Sequence, residues 1–420
     1  MTIGMSDELT SFDQRAIIKV CGVGGGGGNA ITRMIEDGLE DVEFITINTD
    51  AQALKRSPAG CRLQIGTDFT GGLGSGAVPE IGQKSALEDR ERISDVIGGA
   101  DMIFVTCGLG GGTGTGAAPV VAEIARSTGA LTVGIATLPF TFEGQERMEN
   151  ALGGLRELEQ HVDTLIVVPN DRVAQLCQDN MPLLRAFRQA DEVLHNGVRA
   201  ISELITVPGL INLDFADVRT IMQARGHALM GIGTAEGENR AKRAAEEAIV
   251  CPLLEQSNID GAMGVIANVK AGCDVGMREV QEAVSTVQQA AHPDANIIFG
   301  AVVDEQERPE IQVTVIAAGF PSGVSQEFLT TRGDRIPEAI RLPERREVPV
   351  AQDLERPAAV GENNPISTGA LGNEGVSKPG AAEVEYLFPQ DGAEDPPKSP
   401  RVEPDEDLSI PAFMRRRKRE

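Results

Sequence analysis

Tryptophan is missing from this chain, tyrosine occurs once, and aromatics make up 3% of its 420 residues. Its cores must then be aliphatic and rich in alanine. Cysteine is sparse as well. Cys21, Cys61, Cys107, Cys177, Cys251 and Cys273 are scattered with no CxxC pair, which fits reduced thiols in a cytoplasm rather than a disulfide frame or a zinc site. Positive charge is in short supply: 38 Lys and Arg face 63 Asp and Glu, a net charge of -25. Such a surface repels a phosphate backbone, so nucleic acid is not expected as a partner. No segment reaches about 18 uninterrupted apolar residues, and the opening MTIGMSDELT lacks the basic stretch and apolar run of a secretory signal. The expectation is a soluble, cytoplasmic chain with no direct membrane insertion, whose contact with any membrane is borrowed from a partner. Its length allows two domains with proper cores, and tails besides.

What the chain has in quantity is glycine, and the glycines cluster. GLGGGTGTGAAP, Gly108 to Pro119, follows an apolar run, Met102 to Thr106, that reads as a buried strand. It precedes PVVAEIARS, which reads as a helix with Pro119 in its first turn. Gly108, Gly110, Gly111, Gly112, Gly114 and Gly116 allow a turn too tight for side chains, whose amides can point at one anion while the helix adds its positive end. Thr113 and Thr115 supply hydroxyls. This is a phosphate cradle or a mere tight connection. A Walker-type loop is excluded, because no Lys-Ser or Lys-Thr follows the last glycine; phosphate charge would be met by amides, a helix dipole and a metal ion.

Two further glycine runs bear on the choice. Ala16 to Val20 reads as a strand, and Gly22 to Gly28, ending in Asn29, leads into a helix over Ala30 to Asp37. Gly22, Gly24 and Gly27 satisfy G-x-G-x-x-G, which alone would suggest an NAD-dependent oxidoreductase. Such a fold wants an acidic residue at the tip of its second strand, here Phe44 to Asp50. Asp50 sits far along for that, and Asn48 lies nearer. The third loop, Thr70 to Glu80, holds Gly74, Gly76 and Ala77 before a long polar helix, Glu80 to Ile97. Three such turns converge on one edge of a parallel sheet, where open α/β sheets bind ligands. Further on, Leu184, Phe187, Leu194, Val198, Ile201 and Ile205 share one face of a helix six turns long, a spine between two flanking domains.

GGGTGTG between a strand and a helix resembles the signature of the tubulin and FtsZ superfamily. The resemblance runs from about Ile17 to Phe320, resumes in the last dozen or so residues, and points to the bacterial cell-division GTPases. It implies an α/β, tubulin-like fold. A flexible start (1–14) precedes a GTP-binding domain with a parallel sheet (15–183) and a long central helix (184–205). A second α/β domain for activation and polymerisation (206–320), a disordered linker (321–405) and a partner-binding peptide (406–420) follow. GTP or GDP would contact Gly25, Gly26, Gly27, Gly28 and Asn29, the 74–77 loop, and Gly110 to Gly116. Asn48 and Asp50 would lie near the nucleotide and its metal, Mg²⁺ riding on the phosphates.

The same resemblance assigns the base and ribose. Glu143 and Arg147, spaced i and i+4 at a helix start, read otherwise as a surface ion pair, but would approach ribose and guanine. Asn170 would face the base, Phe187 would stack on it, and Asp191 would accept from guanine N1–H and N2–H, a donor pair adenine lacks. Thr141 stands where the family usually has Asn. After Pro208 and Gly209 comes GLINLDFADVRT. Asp217 can cap the helix starting there and Asp214 can be a solvated loop residue. The resemblance implies instead that Asn212, Asp214 and Asp217 enter the nucleotide site of the next subunit and position the attacking water. Catalysis would then need a head-to-tail homopolymer, with a non-hydrolysing filament scaffold as the alternative.

Beyond Phe320 about eighty residues rich in Pro, Glu, Ala and Gly carry no periodic apolar face. As a flexible coil they span on the order of 50 Å root-mean-square. The chain ends in DLSIPAFMRRRKRE. Leu408, Ile410, Pro411, Phe413 and Met414 form a short apolar motif on a tether, a docking peptide. It resembles the terminal peptide that binds membrane-tethering and regulatory division proteins at the mid-cell site, on the inner face of the membrane.

Overall fold

The computed structural model describes residues 16–176, 181–207, 214–223, 226–254, 259–304 and 306–320. The amino-terminal half alternates strand and helix. In order it holds β1 (Ile18–Val23), α1 (Gly24–Glu36), β2 (Glu43–Asn48), α2 (Ala51–Arg56), β3 (Cys61–Gln64) and α3 (Thr67–Thr70). Next come α4 (Pro79–Glu88), α5 (Arg90–Ile97), β4 (Met102–Gly108), α6 (Thr113–Ser127) and β5 (Leu131–Leu138). Then α7 (Gln145–His161), β6 (Thr164–Pro169), α8 (Asn170–Leu176) and the long α9 (Leu183–Thr206) lead to α10 (Phe215–Met222). The carboxyl half is β7 (Gly226–Glu236), α11 (Arg240–Val250), β8 (Gly264–Ala271), α12 (Met277–Ala290), β9 (Asn296–Val303) and β10 (Glu310–Ala318).

These strands form one ten-stranded sheet among the described residues, in the order β3-β2-β1-β4-β5-β6-β7-β10-β8-β9. Every residue of β1, β5 and β6 is buried, as their near-continuous apolar runs demand when helices cover both faces of a parallel sheet. The two halves are not separate sheets. β7 joins β6 in parallel, Thr164 to Ile166 opposite Gly226 to Ala228, whereas β10 runs antiparallel between β7 and β8. The second half is therefore a mixed sheet grown onto a parallel one.

The aliphatic core is as the composition requires. Ala241, Ala244, Ala245 and Ala248 of α11 are fully buried, and a β-carbon on Gly231 or Gly233 of β7 would lie 2.0 and 2.1 Å from the carbonyls of Ala248 and Ala244. Alanine opposite glycine lets that helix lie flat on the sheet. Arg240, buried at its start, pairs with Glu279 and Asp274 at 2.8 Å each and donates to the Arg308 carbonyl. Burial pushes the Cys21 and Cys107 thiols up to about 12, leaving them un-ionised.

Several helix boundaries depart from the sequence reading. α1 begins at Gly24 instead of Ala30, and α6 at Thr113, which puts Pro119 inside the helix rather than in its first turn. Glycine's poor helix propensity is overridden by contact: a β-carbon on Gly27 would lie 2.4 Å from the Thr106 carbonyl. The segment from Glu80 to Ile97 is two helices. Asp89 breaks it, turning its carboxylate to accept from Gly66 N at 2.8 Å and Arg92 Nη1 at 2.6 Å.

Candidate functional site

Strand order reverses between β1 and β4, whose following helices pack into the cores on opposite faces of the sheet, and it is at the carboxyl ends of the strands beside such a reversal that open α/β sheets form a ligand crevice. Both flanking helices begin at this point. A β-carbon on Gly24 would be 2.6 Å from Gly114 N, and one on Gly26 3.1 Å from the Gly108 Cα. The two amino-termini are thus packed backbone to backbone. Neither has a side-chain cap, since Val23 and Gly112 stand in the capping positions, so two positive helix ends face the same crevice.

Not every amide of the 108–116 loop is available. Leu109, Gly110 and Gly116 donate inside the protein, to the Thr137 carbonyl (2.9 Å), the Thr115 hydroxyl (2.8 Å) and the Gly112 carbonyl (3.0 Å). Those of Gly111, Gly112 and the first turn, Thr113 to Thr115, carry no partner among the described residues, and they make up the cradle. Thr115 has a packing task as well: its oxygen accepts from Gly110 N and its methyl lies where Gly154 allows α7 to approach. It is a fastener of the loop. Similarly, Gly27 and Gly28 fall within α1, Gly27 against the sheet and Gly28 against Thr46, while Gly25 is exposed and Asn29 half-buried.

The third loop closes over this cradle. Gly74 and Gly76 have φ of 88° and 64°, and Ala77, at 69°, holds a left-handed conformation that costs on the order of 1 kcal/mol in a residue with a side chain. Ser75 Oγ lies 3.0 Å from Thr113 Oγ1, which lies 2.7 Å from Thr49 Oγ1. Sequence reasoning missed Ser75 and Thr49, because a lone hydroxyl in a glycine loop carries no spacing signal. Asp50 caps α2, its Oδ1 accepting from Gln52 N and Ala53 N at 2.8 and 3.2 Å, and Asn48 Oδ1 accepts from Asp50 N at 3.1 Å.

On the other side of the crevice, Glu143 and Arg147 meet at 2.8 Å, and the Glu143 side chain is 3% exposed. That burial removes the surface-pair reading. Desolvation pushes the Glu143 carboxyl up and the Arg147 guanidinium down, each opposed by its partner's charge. Arg147 presses on the cradle, since a β-carbon on Gly110 would lie 2.7 Å from its carbonyl. Asn170, at the carboxyl end of β6, is buried, and its Oδ1 has no hydrogen-bond partner. Phe187 meets Phe140 edge-on at 5.2 Å, and Phe140 stacks on Phe142 at 4.9 Å. One turn further along α9, burial pushes Asp191 up to about 7, with Arg33 of α1 pulling it down. Thr141 donates from N and Oγ1 to the two carboxylate oxygens of Asp171, tying this turn to α8.

The acidic segment lies elsewhere. The helix that Asp217 was expected to cap begins earlier, and its cap is Asp214, accepting from Ala216 N at 3.1 Å; Asp217 is in the first turn. Both are exposed. α10 is anchored to the amino-end side of the sheet, by Arg219 donating to the Gly129 carbonyl and by Thr164 donating to the Met222 carbonyl. Gly129 follows α6, whose other end is the cradle. Fifteen helical residues separate those ends, about 22 Å. Asn212 lies outside the described residues, as do Leu408, Ile410, Pro411, Phe413 and Met414.

Residues 17–178 match the model of the tubulin/FtsZ family GTPase domain, and residues 226–321 that of the FtsZ family C-terminal domain. An FtsZ dimer from M. jannaschii, solved empty, is 48% identical to this chain with a TM-score of 0.70; 72% of this chain and 88% of that one are covered. The chain belongs to the FtsZ family. A point mutant of the M. jannaschii FtsZ is also 48% identical, at a TM-score of 0.70, covering 73% of this chain and 92% of that one. CetZ2 from Haloferax volcanii, solved as a GTPγS-bound protofilament, shares the fold at 20% identity, a TM-score of 0.63, and coverage of 74% and 96%.

Membership in the FtsZ family implies guanine-nucleotide binding, and the residues present fit it. Two uncapped helix ends suit phosphate. The buried, unpartnered Asn170 Oδ1 is a cost of about 1–3 kcal/mol that a ligand donor removes. The dinucleotide reading of Gly22, Gly24 and Gly27 gives way to the match of residues 17–178 to the tubulin/FtsZ GTPase domain.

Proposed function

We propose that this chain binds GTP, hydrolyses it to GDP and phosphate, and polymerises head to tail into filaments that build the cytokinetic ring at the bacterial division site. The reading rests on one observation above all: α10, whose first turn holds the acidic residues, is anchored through Arg219 at the end of α6 opposite the uncapped glycine loops, and α6 is about 22 Å long by helical rise. Neither end can serve the other within one molecule. Stacking copies end to end brings Asp214 and Asp217 of one subunit to the cradle of the next, and a contact of that kind does not close on itself.

In this reading the amides of Gly25, Gly26 and Gly111 to Gly114 and the hydroxyl of Thr113 hold the phosphates. Glu143 and Arg147 take the ribose, and Asn170, Phe187 and Asp191 the base. The ionised Asp191 accepts from guanine N1–H and N2–H. Asp214 and Asp217, with Asn212, orient the attacking water and stabilise charge, which is most of what phosphoryl transfer requires. Mg²⁺ on the phosphates would supply the positive charge that a P-loop lysine gives elsewhere. Asp50 Oδ1 is committed to its helix cap, so any contact of Asp50 with the metal would fall to Oδ2. The terminal peptide from Leu408 to Met414 would dock membrane-tethering and regulatory division proteins.

Sedimentation with GTP, with GDP and without nucleotide, alongside phosphate release, tests the proposal. Pelleting and phosphate release with GTP alone are expected. Pelleting without release would leave a non-hydrolysing scaffold, and neither would end the reading.

A further inference from the structure

Three hydroxyls from three segments meet in the interior beside the cradle. Thr49 follows β2, Ser75 lies in the third glycine loop, and Thr113 opens α6. They are 0%, 6% and 7% exposed, with Thr113 Oγ1 in the middle, 2.7 Å from Thr49 and 3.0 Å from Ser75. The outer two segments are also joined to each other, through Ala51 N donating to the Gly72 carbonyl at 3.0 Å and a bridge between Asp50 and Leu73. Ser75 is pressed against the cradle backbone: a β-carbon on Gly112 would lie 2.1 Å from its Oγ.

The hydrogens of this trio can be counted. Each hydroxyl has one to donate, and two contacts use two of the three. One hydrogen is always left over, on Thr49, on Ser75 or on Thr113. Of the three, Thr113 belongs to the cradle itself, its own amide being among those that carry no partner. An anionic oxygen there accepts from Thr113 and so selects a single arrangement, in which Thr49 and Ser75 both donate inward. A Thr113 oxygen whose hydrogen goes to an anion is a better acceptor, and both inward bonds strengthen.

We infer that Ser75 and Thr49 are positioning residues for the nucleotide, acting through the Thr113 hydroxyl so that phosphate on the cradle locks the 49–51 and 71–78 segments together. The inference rests on the nucleotide reading of the cradle. Because binding and locking are linked, the coupling runs both ways: a relay that tightens on binding also tightens the binding.

The test uses the full chain, GDP as the probe, and the variants Ser75→Ala, Thr49→Val and Thr49→Ser. Backbone amide exchange over 49–51 and 71–78 is followed with and without GDP, and affinity by calorimetry on the same samples. A purely structural role would speed exchange equally in both states, so the readout is the slowing that GDP adds. That added slowing is expected to shrink about fivefold in S75A and in T49V, the scale of one net hydrogen bond. GDP affinity should fall by a similar factor, and T49S should behave as the unaltered chain. Full GDP-induced slowing in S75A or in T49V overturns the relay while leaving the nucleotide site standing. Failure of the unaltered chain to bind GDP overturns both.

Discussion

Arg219 donates from Nη2 to the carbonyl oxygen of Gly129 at 3.1 Å, and this bond fixes which end of the molecule carries the acidic helix. Gly129 closes the turn after α6, so α10 is held at the far end of the helix that begins in the glycine cradle. The same helix start binds Asp214 into a second task, since its carboxylate is the cap.

That double task shapes the mutational test. Asp214→Asn keeps a capping side chain, because Asn caps as well as Asp, yet removes the charge. Turnover is expected to fall on the order of a hundredfold, with GTP binding by the monomer and thermal stability unchanged. Near-normal phosphate release from this variant would reduce Asp214 to a cap.

A reaction centre shared between copies makes specific activity depend on concentration. Phosphate released per molecule should climb as protein is added and then level. A flat profile down to dilutions where ultracentrifugation finds only monomer would mean that each molecule is catalytically whole.

Burial holds Asp191 up at about 7 in the unliganded protein, whereas the guanine contact proposed for it needs its carboxylate. Binding must then release a proton below that value, so affinity for GDP should weaken as pH falls from 8 to 6, approaching tenfold per unit at the acid end. The sign for stability is the opposite. A carboxyl raised above its unfolded value near 3.9 favours the folded state at low pH, and that contribution fades as pH rises from about 4 through 7. Asp191→Asn should bind weakly at every pH, with the slope gone; a slope that survives the substitution belongs to another group.

Neighbouring glycines of α1 should respond in opposite senses. Alanine at 27 meets the Thr106 carbonyl at 2.4 Å, backbone that cannot step aside, and should destabilise by about 2 kcal/mol. Alanine at 28 meets only Thr46 Cγ2 at 3.3 Å, and helix propensity favours it by up to about 1 kcal/mol. Thermal unfolding of the two variants without nucleotide compares them directly. Equal losses would show that α1 is not seated by the Gly27 contact.

Removing residues from Asp407 onward should leave GTP turnover intact while abolishing capture by membrane-tethering division proteins. A parallel drop in turnover would tie the terminal peptide to the catalytic body.

Local chemistry wrote much of this protein openly. Short unbroken apolar runs such as Met102 to Thr106, flanked by glycines, read as strands covered on both faces, and glycines that follow a strand and precede a helix read as a tight turn able to hold an anion. The central helix is legible from Leu184 to Ile205 because one face of it is continuously apolar. What depended on distant partners was silent. That β7 extends the parallel sheet from β6 while β10 turns antiparallel is decided by pairing across long stretches of chain, and no residue of β7 declares it. Thr113 and Thr115 look equivalent in a row of letters; the fold sets one between Thr49 and Ser75 and the other against Gly110, because a helix points successive hydroxyls in different directions. The vacant acceptor on Asn170, the Ser75 contact and the anchoring of α10 beside Gly129 arise in the same way, from which backbone lies alongside which, and only the folded chain determines that.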